Sequence, residues 1–449
     1  MVDSLKSNSF ILPALLLAAL LYLGLLPVQK TKPYSSLVAW QNAAAFEGRV
    51  VKSPSMLGGR KKTCKIELSL SRVWDKNGIA AAAQGQADIF LPAELCEIYK
   101  PGKLYTAWRG SASDFLLDQG ALVQVDAKPA RFKIAAPSAP GQKSVSGKKS
   151  VSDQKGAALE RPIFESQKII SCSYDGGLWG SFQKIRALSR LHFSRLMFAW
   201  GEAGGLLLAL LSGDRSYLND GAGDAFRLAG LSHILALSGM HLSLIGGLAF
   251  AFGKKAAGKK AALALEFLCM LAFVWFAGKS PSLFRALLCS LCALASALFK
   301  LRTRSGLNSL ALVFIIHAAL FPADAFELSF MLSYGALFGI LAFNEFVSKR
   351  LFKALPSGAG SSFASSIGAQ LATAPVTLKF FGLVAPGGVA ASAALSPLVT
   401  LFVYAGLFCV FLSLAFPLAA PFCGGLLGFF YGLIIRAVFF FAKIPCVKI

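Results

Sequence analysis

Two histidines and two serines lie in an otherwise apolar stretch of this 449-residue chain, and their chemistry needs an explanation. The four residues are Ser232, His233, Ser238 and His241. Polar groups inside a membrane-spanning helix are costly, so each is a candidate functional residue. The two histidines are separated by about 12 Å along a straight helix, which is too far for both to bind one metal ion. Their imidazoles are left with hydrogen bonding, either to a transported ligand or to a neighbouring helix.

Other predicted spans carry polar groups where the helix is interrupted. Arg285 follows Ser280-Pro-Ser, and Pro375 lies close to Gln370 and Thr373. A proline inside a span frees backbone groups, which is tolerated only where protein or water satisfies them. Such breaks predict a conduit, and the residues expected to line it are His233, Ser238, His241, Ser282, Arg285, Asp324, Ser329, Ser333, Gln370 and Thr373.

Two of these residues also have a purely structural interpretation. Arg285 lies near the start of a span, from where a long side chain can reach the membrane surface. Asp324 lies near a helix N-terminus, where the helix dipole stabilises a carboxylate.

The composition excludes an ordinary soluble protein. Hydrophobic residues make up 55% of the chain and charged residues only 15%, whereas soluble domains average about 25% charged. We therefore predict an α-helical polytopic membrane protein. The formal net charge of +23 favours anionic partners, either nucleic acid or acidic membrane lipids. Basic cytoplasmic loops explain part of that excess.

The predicted spans also give an orientation. Residues 1–28 are predicted to form an N-terminal transmembrane helix, with a cleaved signal peptide as the alternative. Residues 230–449 form the multi-span domain, with spans expected at 231–252, 261–277, 283–299, 306–321, 327–347, 362–382, 389–414 and 420–442. Every second loop is rich in Lys and Arg, which places those loops in the cytoplasm. The count then puts the segment that follows residue 28 outside the cytoplasm.

Residues 29–175 are predicted to form a small extracytoplasmic all-β domain. Short alternating runs such as Ala87-Asp-Ile-Phe-Leu are bounded by turn residues. They suit an OB-like barrel, and a sandwich stays open as an alternative. The segment 135–158 is rich in Ser, Lys and Gly and is typical of a flexible linker. Cys64 and Cys96 are expected to form a disulfide, since oxidation is allowed outside the cytoplasm.

Aromatic and basic side chains are mixed in this domain. That mixture suits single-stranded DNA, because bases stack on aromatic rings and phosphates meet charge. Core aromatics beside solvated lysines would give the same pattern. The DNA-binding candidates are Lys61, Lys62, Arg72, Trp74, Lys103, Tyr105, Trp108 and Arg109.

The segment 181–229, between the β domain and the spans, begins as a basic amphipathic helix. Its basic residues include Lys184, Arg186, Arg190 and Arg195. This pattern predicts a membrane-associated helical segment.

No pattern of a catalytic or cofactor site stands out. No nucleophile elbow or phosphate-binding loop occurs, and the one CxxC, at Cys289 and Cys292, lies in an apolar span without a second pair. We therefore predict no enzyme activity, no cofactor and no metal site.

Five blocks resemble the ComEC family of bacterial competence proteins, in the family's order. They are Gly213-Asp-Arg, Gly230 to His241, Gly278 to Ala286, Asp324 to Ser333 and Gln370 to Gly382. The block with Ser-His, then Ser-Gly-Met-His, is the most specific. The resemblance implies a channel that passes single-stranded DNA across the cytoplasmic (inner) membrane during natural transformation. It also implies an external DNA-receptor protein and a cytoplasmic helicase-type motor as partners, and it is compatible with a homo-oligomer.

Two features of the chain leave other functions open. Many family members carry a metallo-β-lactamase-like domain, but no His-x-His-x-Asp-His motif occurs here, so that domain and its nuclease activity are expected to be lacking. A small-solute or lipid permease built on the same scaffold is one alternative. A membrane anchor for partner proteins is another. Binding of single-stranded DNA by residues 29–175 would separate the channel from both.

Overall fold

The structure is a computed structural model of the chain. It describes residues 10–23, 25–26, 28, 34–57, 63–92, 116–126, 128–129, 162–215, 217–235, 239–278, 280–299, 305–351, 357–385, 387–444 and 447–448. The chain divides into two compact units. The β unit is Thr31–Leu196, and the helical unit combines Met1–Lys30 with Met197–Ile449.

The β unit is built on a mainly antiparallel sheet, which confirms the predicted β domain at this level. Its strands pair in the order β7-β8-β5-β3-β2-β6-β9, with β4 on β3 and β1 on β4. Only the pairing of β5 with β8 is parallel among the described strands. The strands are β1 (Ser35–Ser36), β2 (Ala43–Leu57), β3 (Thr63–Asp75), β4 (Ala80–Gln84), β5 (Gln86–Pro92), β6 (Leu122–Asp126), β7 (Lys128–Pro129), β8 (Ile163–Glu165) and β9 (Ile169–Ser173).

The core of the β unit follows from the alternation of its strands. Side chains one residue apart on a strand face opposite sides of the sheet. Ala87, Ile89 and Leu91 of β5 are therefore buried together, while the residues between them are half-buried. Phe46 and Phe164, also fully buried, bring their ring centroids to 4.4 Å in this core.

The helices lie mostly in the helical unit. They are α1 (Ile11–Tyr22), α2 (Leu178–Ala199), α3 (Gly201–Ser212), α4 (Asp220–Leu228), α5 (Ser232–Leu235), α6 (Gly239–Ala277), α7 (Pro281–Leu298), α8 (Gly306–Leu320), α9 (Leu328–Leu351), α10 (Ser357–Phe381), α11 (Gly388–Ala415) and α12 (Ala420–Ala442). Two short strands, β10 (Leu383–Val384) and β11 (Val447–Lys448), pair in an antiparallel way. Among the described residues, four helical stretches are long and apolar enough to cross a membrane: Gly239–Ala277, Leu328–Arg350, Gly388–Ala415 and Pro417–Ala442.

The long helix α6 is interrupted where two spans were predicted to meet. Ala257 and Gly258 leave helical geometry, and Gly258 has a φ of 80°, which favours glycine. In the stretch from Gly230, the structure describes helix at Ser232–Leu235 (α5) and from Gly239 onward (α6), and residues 236–238 between them lie outside the described residues.

Helices α9 and α10 approach most closely at two glycines. A Cβ added to Gly339 would lie 2.1 Å from the carbonyl oxygen of Gly368, and one added to Gly368 would lie 2.6 Å from that of Gly339. A side chain at either position would separate the helices. This contact brings Thr373 of α10 beside α9, where its Cγ2 would lie 3.6 Å from a Cβ added to Gly335.

Helix α2 places two of its arginines in a nearly buried ion cluster of the β unit. Nη1 of Arg186 and Nε of Arg190 lie 3.8 and 3.4 Å from Oδ2 of Asp118, and all three side chains are nearly buried. Burial lowers the pKa of Arg186, and the negative charge of Asp118 opposes this effect by raising it. Apolar residues of the helix divide between the two environments: Leu178 and Trp179 are 93% and 65% exposed, whereas Ala187 and Leu191 are buried. The helical period therefore predicted an amphipathic helix, but not that two of its arginines would be buried together with apolar residues. Its association with a membrane stays a prediction.

We expect Asp118→Ala to destabilise the packing of α2 in the β unit by about 1–3 kcal/mol, because it removes a nearly buried carboxylate that lies against two guanidinium groups. The matched control is Asp175→Ala, which breaks the half-exposed pair with Arg49 and should cost about 0–1 kcal/mol. Limited proteolysis of the full chain measures both, as the rate of cleavage within α2. Equal rates in the two variants would contradict a stabilising role for the Asp118 cluster.

Candidate functional site

Arg285 lies one turn into α7 and is half-buried in the helical unit. Its Nη1 donates a 2.6 Å hydrogen bond to the carbonyl oxygen of Ser333, and its guanidinium carbon lies 5.8 Å from the ring centre of Tyr334. A Cβ added to Gly239 would lie 3.2 Å from Nη2. The glycine between the two histidines of the polar stretch therefore leaves room for this guanidinium group.

The surroundings of Arg285 are neutral. Its Nε is buried and has no hydrogen-bond partner among the described residues, which also supply no carboxylate to pair with it. Ser282 and Ser333 complete the cluster, since their hydroxyl oxygens lie 2.9 Å apart. The structure thus brings together three predicted conduit residues from two helices. A half-buried cation that has no anion among the described residues is suited to binding a mobile anion.

A histidine that the sequence interpretation missed connects this cluster to Asp324. His317 of α8 is fully buried, with Nε2 3.4 Å from Oδ2 of Asp324 and Nδ1 3.1 Å from the hydroxyl of Tyr334. The hydroxyl of Tyr334 also lies 3.4 Å from the carbonyl oxygen of Val313, to which it can donate. Asp324 lies in a 3-10 helix, Pro322–Phe326. Asp324, His317, Tyr334 and Arg285 form a chain of contacts, which we call the buried relay.

The signal for His317 was present in the sequence. An imidazole within the apolar run of α8 meets the same criterion that identified His233 and His241, namely an ionisable group in a predicted span. It was missed because no serine, glycine or proline marks its surroundings. Its partner Asp324 was identified, but with a dipole interaction as its structural interpretation.

A second group of predicted residues gathers where α11 begins. His233 of α5 has Nδ1 3.2 Å from the carbonyl oxygen of Gly230 and Nε2 3.4 Å from the hydroxyl of Ser392. Nε2 of Gln370 donates a 2.7 Å bond to the carbonyl oxygen of Ala385. The backbones of the α4–α5 turn and the start of α11 meet closely here, since a Cβ added to Gly230 would lie 2.9 Å from Cα of Gly388.

The remaining predicted conduit residues join neither group as closely. His241 is fully buried on α6. The hydroxyl of Thr373 donates to the carbonyl oxygen of Ala369 in its own helix. Ser329 is half-buried near the start of α9. Ser238 lies outside the described residues.

A crevice of about 430 Å³ lies between α10 and α11 and was not predicted. Ser392, the partner of His233, is in its wall. The described residues that line it are Ser361, Ser362, Ser365, Ser366, Ser392, Ala393, Ser396, Pro397 and Thr400. Four-residue spacing of hydroxyls on both helices, as between Ser392 and Ser396, would have revealed the shared face.

Two of the predicted DNA-binding residues of the β unit lie on the same side of β3. Arg72 is exposed and Trp74 is half-buried, while Val73 between them is fully buried. Arg72 is opposite Glu47 of β2 in the sheet register. Lys61, Lys62, Lys103, Tyr105, Trp108 and Arg109 lie outside the described residues.

Cys64 of β3 is disulfide-bonded. Its predicted partner, Cys96, lies outside the described residues, so the pairing stays a prediction. Cys172 of β9 is free, and burial raises the pKa of its thiol to about 11. Because the thiolate is the attacking species in disulfide exchange, Cys172 is a poor nucleophile toward that bond.

The side chains of the site supply hydrogen-bond donors and acceptors together with the positive charge of Arg285. In the part of the chain that the structure describes, no group of three or more His, Cys, Asp or Glu residues is placed to hold a metal ion. One arginine in neutral surroundings, a buried relay and a hydroxyl-lined crevice can bind an anion and hold water.

Comparisons with known proteins agree with the motif resemblance. The family model described as "Competence protein" matches residues 210–449. The curated proteins include ComE operon protein 3 of Bacillus subtilis (strain 168), which is 30% identical over 181 residues. That match covers 40% of this chain and 23% of the relative, so the chain spans under a quarter of that protein's length. No solved structure matches the chain. With more than half of its residues matched by the family model, this multi-pass chain belongs to the ComEC family of competence proteins.

Proposed function

We propose that the protein is a channel that passes single-stranded DNA across the cytoplasmic membrane during natural transformation. The observation that carries the proposal is Arg285, a cation inside the helical unit whose described partners are a carbonyl oxygen and an aromatic ring. A guanidinium group in neutral surroundings can form two parallel hydrogen bonds to a phosphate. Family membership supports a role in DNA uptake.

The polar groups around Arg285 fit a conduit that handles a long anion. A strand that carries one charge per nucleotide needs a wet path through the hydrocarbon. Conduction needs contacts that are weak and repeated, since one strong site would hold the strand. Ser282, Ser333 and His233 offer neutral hydrogen-bonding groups. In this proposal the chain conducts DNA without catalysing a reaction.

The β unit takes the role of an external DNA-binding domain in this proposal. Alternating basic loops support its position outside the cytoplasm, and its antiparallel sheet supports an OB-like identity. Arg72 and Trp74, on one side of β3, would contact phosphate and base. An external DNA receptor, a cytoplasmic helicase-type motor and further copies of the chain are the proposed partners.

Deletion of the gene in its natural host tests the function. We expect loss of the labelled DNA that becomes resistant to external nuclease, with recovery when the full chain is supplied again. DNA bound outside the cell should remain, because surface capture precedes transport. Unchanged nuclease-resistant DNA in the deletion strain would reject the channel and favour the permease.

A further inference from the structure

The crevice between α10 and α11 has an uncharged, hydroxyl-rich wall. Seven of its nine lining residues are Ser or Thr, and the other two are Ala393 and Pro397. No leucine, valine, phenylalanine or charged residue is among them. The lining offers polar and apolar surface in similar amounts, and its polar part consists of neutral hydrogen-bonding groups.

Several of these hydroxyl groups donate no hydrogen bond among the described residues and can donate to a ligand. In transmembrane helices a serine or threonine commonly donates to the carbonyl one turn earlier, as Ser396 does to Ser392 at 2.6 Å. Ser365, Ser366 and Thr400 make no such bond within the described residues. Ser361 only accepts, from Nδ2 of Asn344.

The backbone adds an acceptor to the same wall. Pro397 lies inside α11 and has no N–H to donate to the carbonyl of Ala393. Both residues line the crevice. A freed carbonyl at membrane depth is tolerated where it lines a water-filled cavity. The crevice is therefore suited to water or to a hydrated polar ligand.

We propose that this crevice holds the phosphodiester backbone of single-stranded DNA in transit, through neutral hydroxyl donors. The inference rests on the proposed function and adds a second point of contact to it, distinct from Arg285. Ser392 links the crevice to His233, in the stretch with the most specific resemblance. Hydroxyls donate to phosphate oxygens without a charge that would hold the strand, as conduction requires. The hydroxyl donors of the lining and their link to His233 favour DNA over a phospholipid as the occupant.

A negative charge in the crevice tests the inference in the natural host. We expect Ser365→Asp to lower nuclease-resistant DNA uptake by at least about tenfold, because like charges repel strongly in a partly dry site. Ser365→Asn adds similar bulk without charge and should lower uptake by less than about threefold. Both are compared at equal amounts of membrane-inserted protein.

Cross-linking of the wild-type chain gives an answer that does not depend on the folding of a variant. The full chain in nanodiscs is irradiated with a single-stranded oligonucleotide that carries a photoactivatable thymidine, and cross-linked peptides are identified by mass spectrometry. Cross-links to residues 361–366 or 392–400 are the expected result. A parallel sample carries a photoactivatable phospholipid and no DNA.

Three outcomes would overturn the inference. Normal uptake in Ser365→Asp at normal protein level removes the crevice from the path but leaves the channel, which the deletion strain tests separately. Cross-links from the phospholipid and none from DNA reassign the crevice to lipid. Specific protection of the crevice by a neutral solute, without DNA cross-links in the helical unit, reassigns it to a permease.

Discussion

Replacement of Arg285 by alanine should reduce DNA uptake by about 10- to 100-fold at unchanged protein level. A hydrogen bond to a charged group contributes about 1.5–3 kcal/mol, which corresponds to that range. Nη1 is held by the carbonyl oxygen of Ser333, while Nε is buried without a described partner. The guanidinium group is therefore fixed through Nη1, and Nη2, beside Gly239 and without a described hydrogen bond, is the donor that can bind a passing phosphate. Transformation frequency and nuclease-resistant DNA measure the effect.

Three further variants separate a phosphate contact from a merely buried cation. Arg285→Lys should recover only part of the uptake, because the planar fork is lost. Gly239→Ala keeps the arginine but puts a methyl group 3.2 Å from Nη2, so it should impair uptake by displacing the guanidinium group. Arg436→Ala removes an exposed arginine of α12 and should have no effect. Normal uptake in Arg285→Ala at equal protein level would reject Arg285 as a conduit residue and leave it a structural role.

The clustering of Ser282, Arg285 and Ser333 shows which part of the site could be predicted. Each residue was recognised by its own polarity in an apolar span, since that cost does not depend on the fold. Their proximity was not predictable, because it depends on how α7 and α9 pack. Apolar runs of sufficient length predicted the four described stretches that are long enough to cross a membrane, whereas α1, α7 and α8 are shorter apolar helices.

The crevice and helix α2 show why other features were missed. A serine pair such as Ser365-Ser366 is ordinary near the start of a helix, and its role depends on Ser392 and Thr400 of another helix. The helical period predicted that α2 is amphipathic. It did not predict that Arg186 and Arg190 are nearly buried, because their partner Asp118 is far away in the sequence. Long-range partners decide which face is buried, and one sequence does not identify them.

Disruption of the buried relay should weaken both the fold and DNA uptake. Asp324→Ala leaves Nε2 of the fully buried His317 without its described hydrogen-bond partner. An unsatisfied buried polar group costs about 1–3 kcal/mol. His317 also fixes Tyr334, whose ring lies against Arg285. We therefore expect a lower unfolding temperature for the full chain in detergent, and an uptake defect in those molecules that remain folded.

The design that distinguishes these two effects uses the hydroxyl of Tyr334. Tyr334→Phe keeps the ring beside Arg285 but removes the bond to His317, so it should cost stability with a smaller loss of uptake than Arg285→Ala. A double-mutant cycle of Asp324→Ala with His317→Ala measures the coupling, which should reach about 0.5–3 kcal/mol for residues in one hydrogen-bonded network. Strict additivity of the two substitutions in unfolding temperature would show that the pair does not act as a unit. In that case Arg285 would be positioned by Ser333 and Gly239 alone.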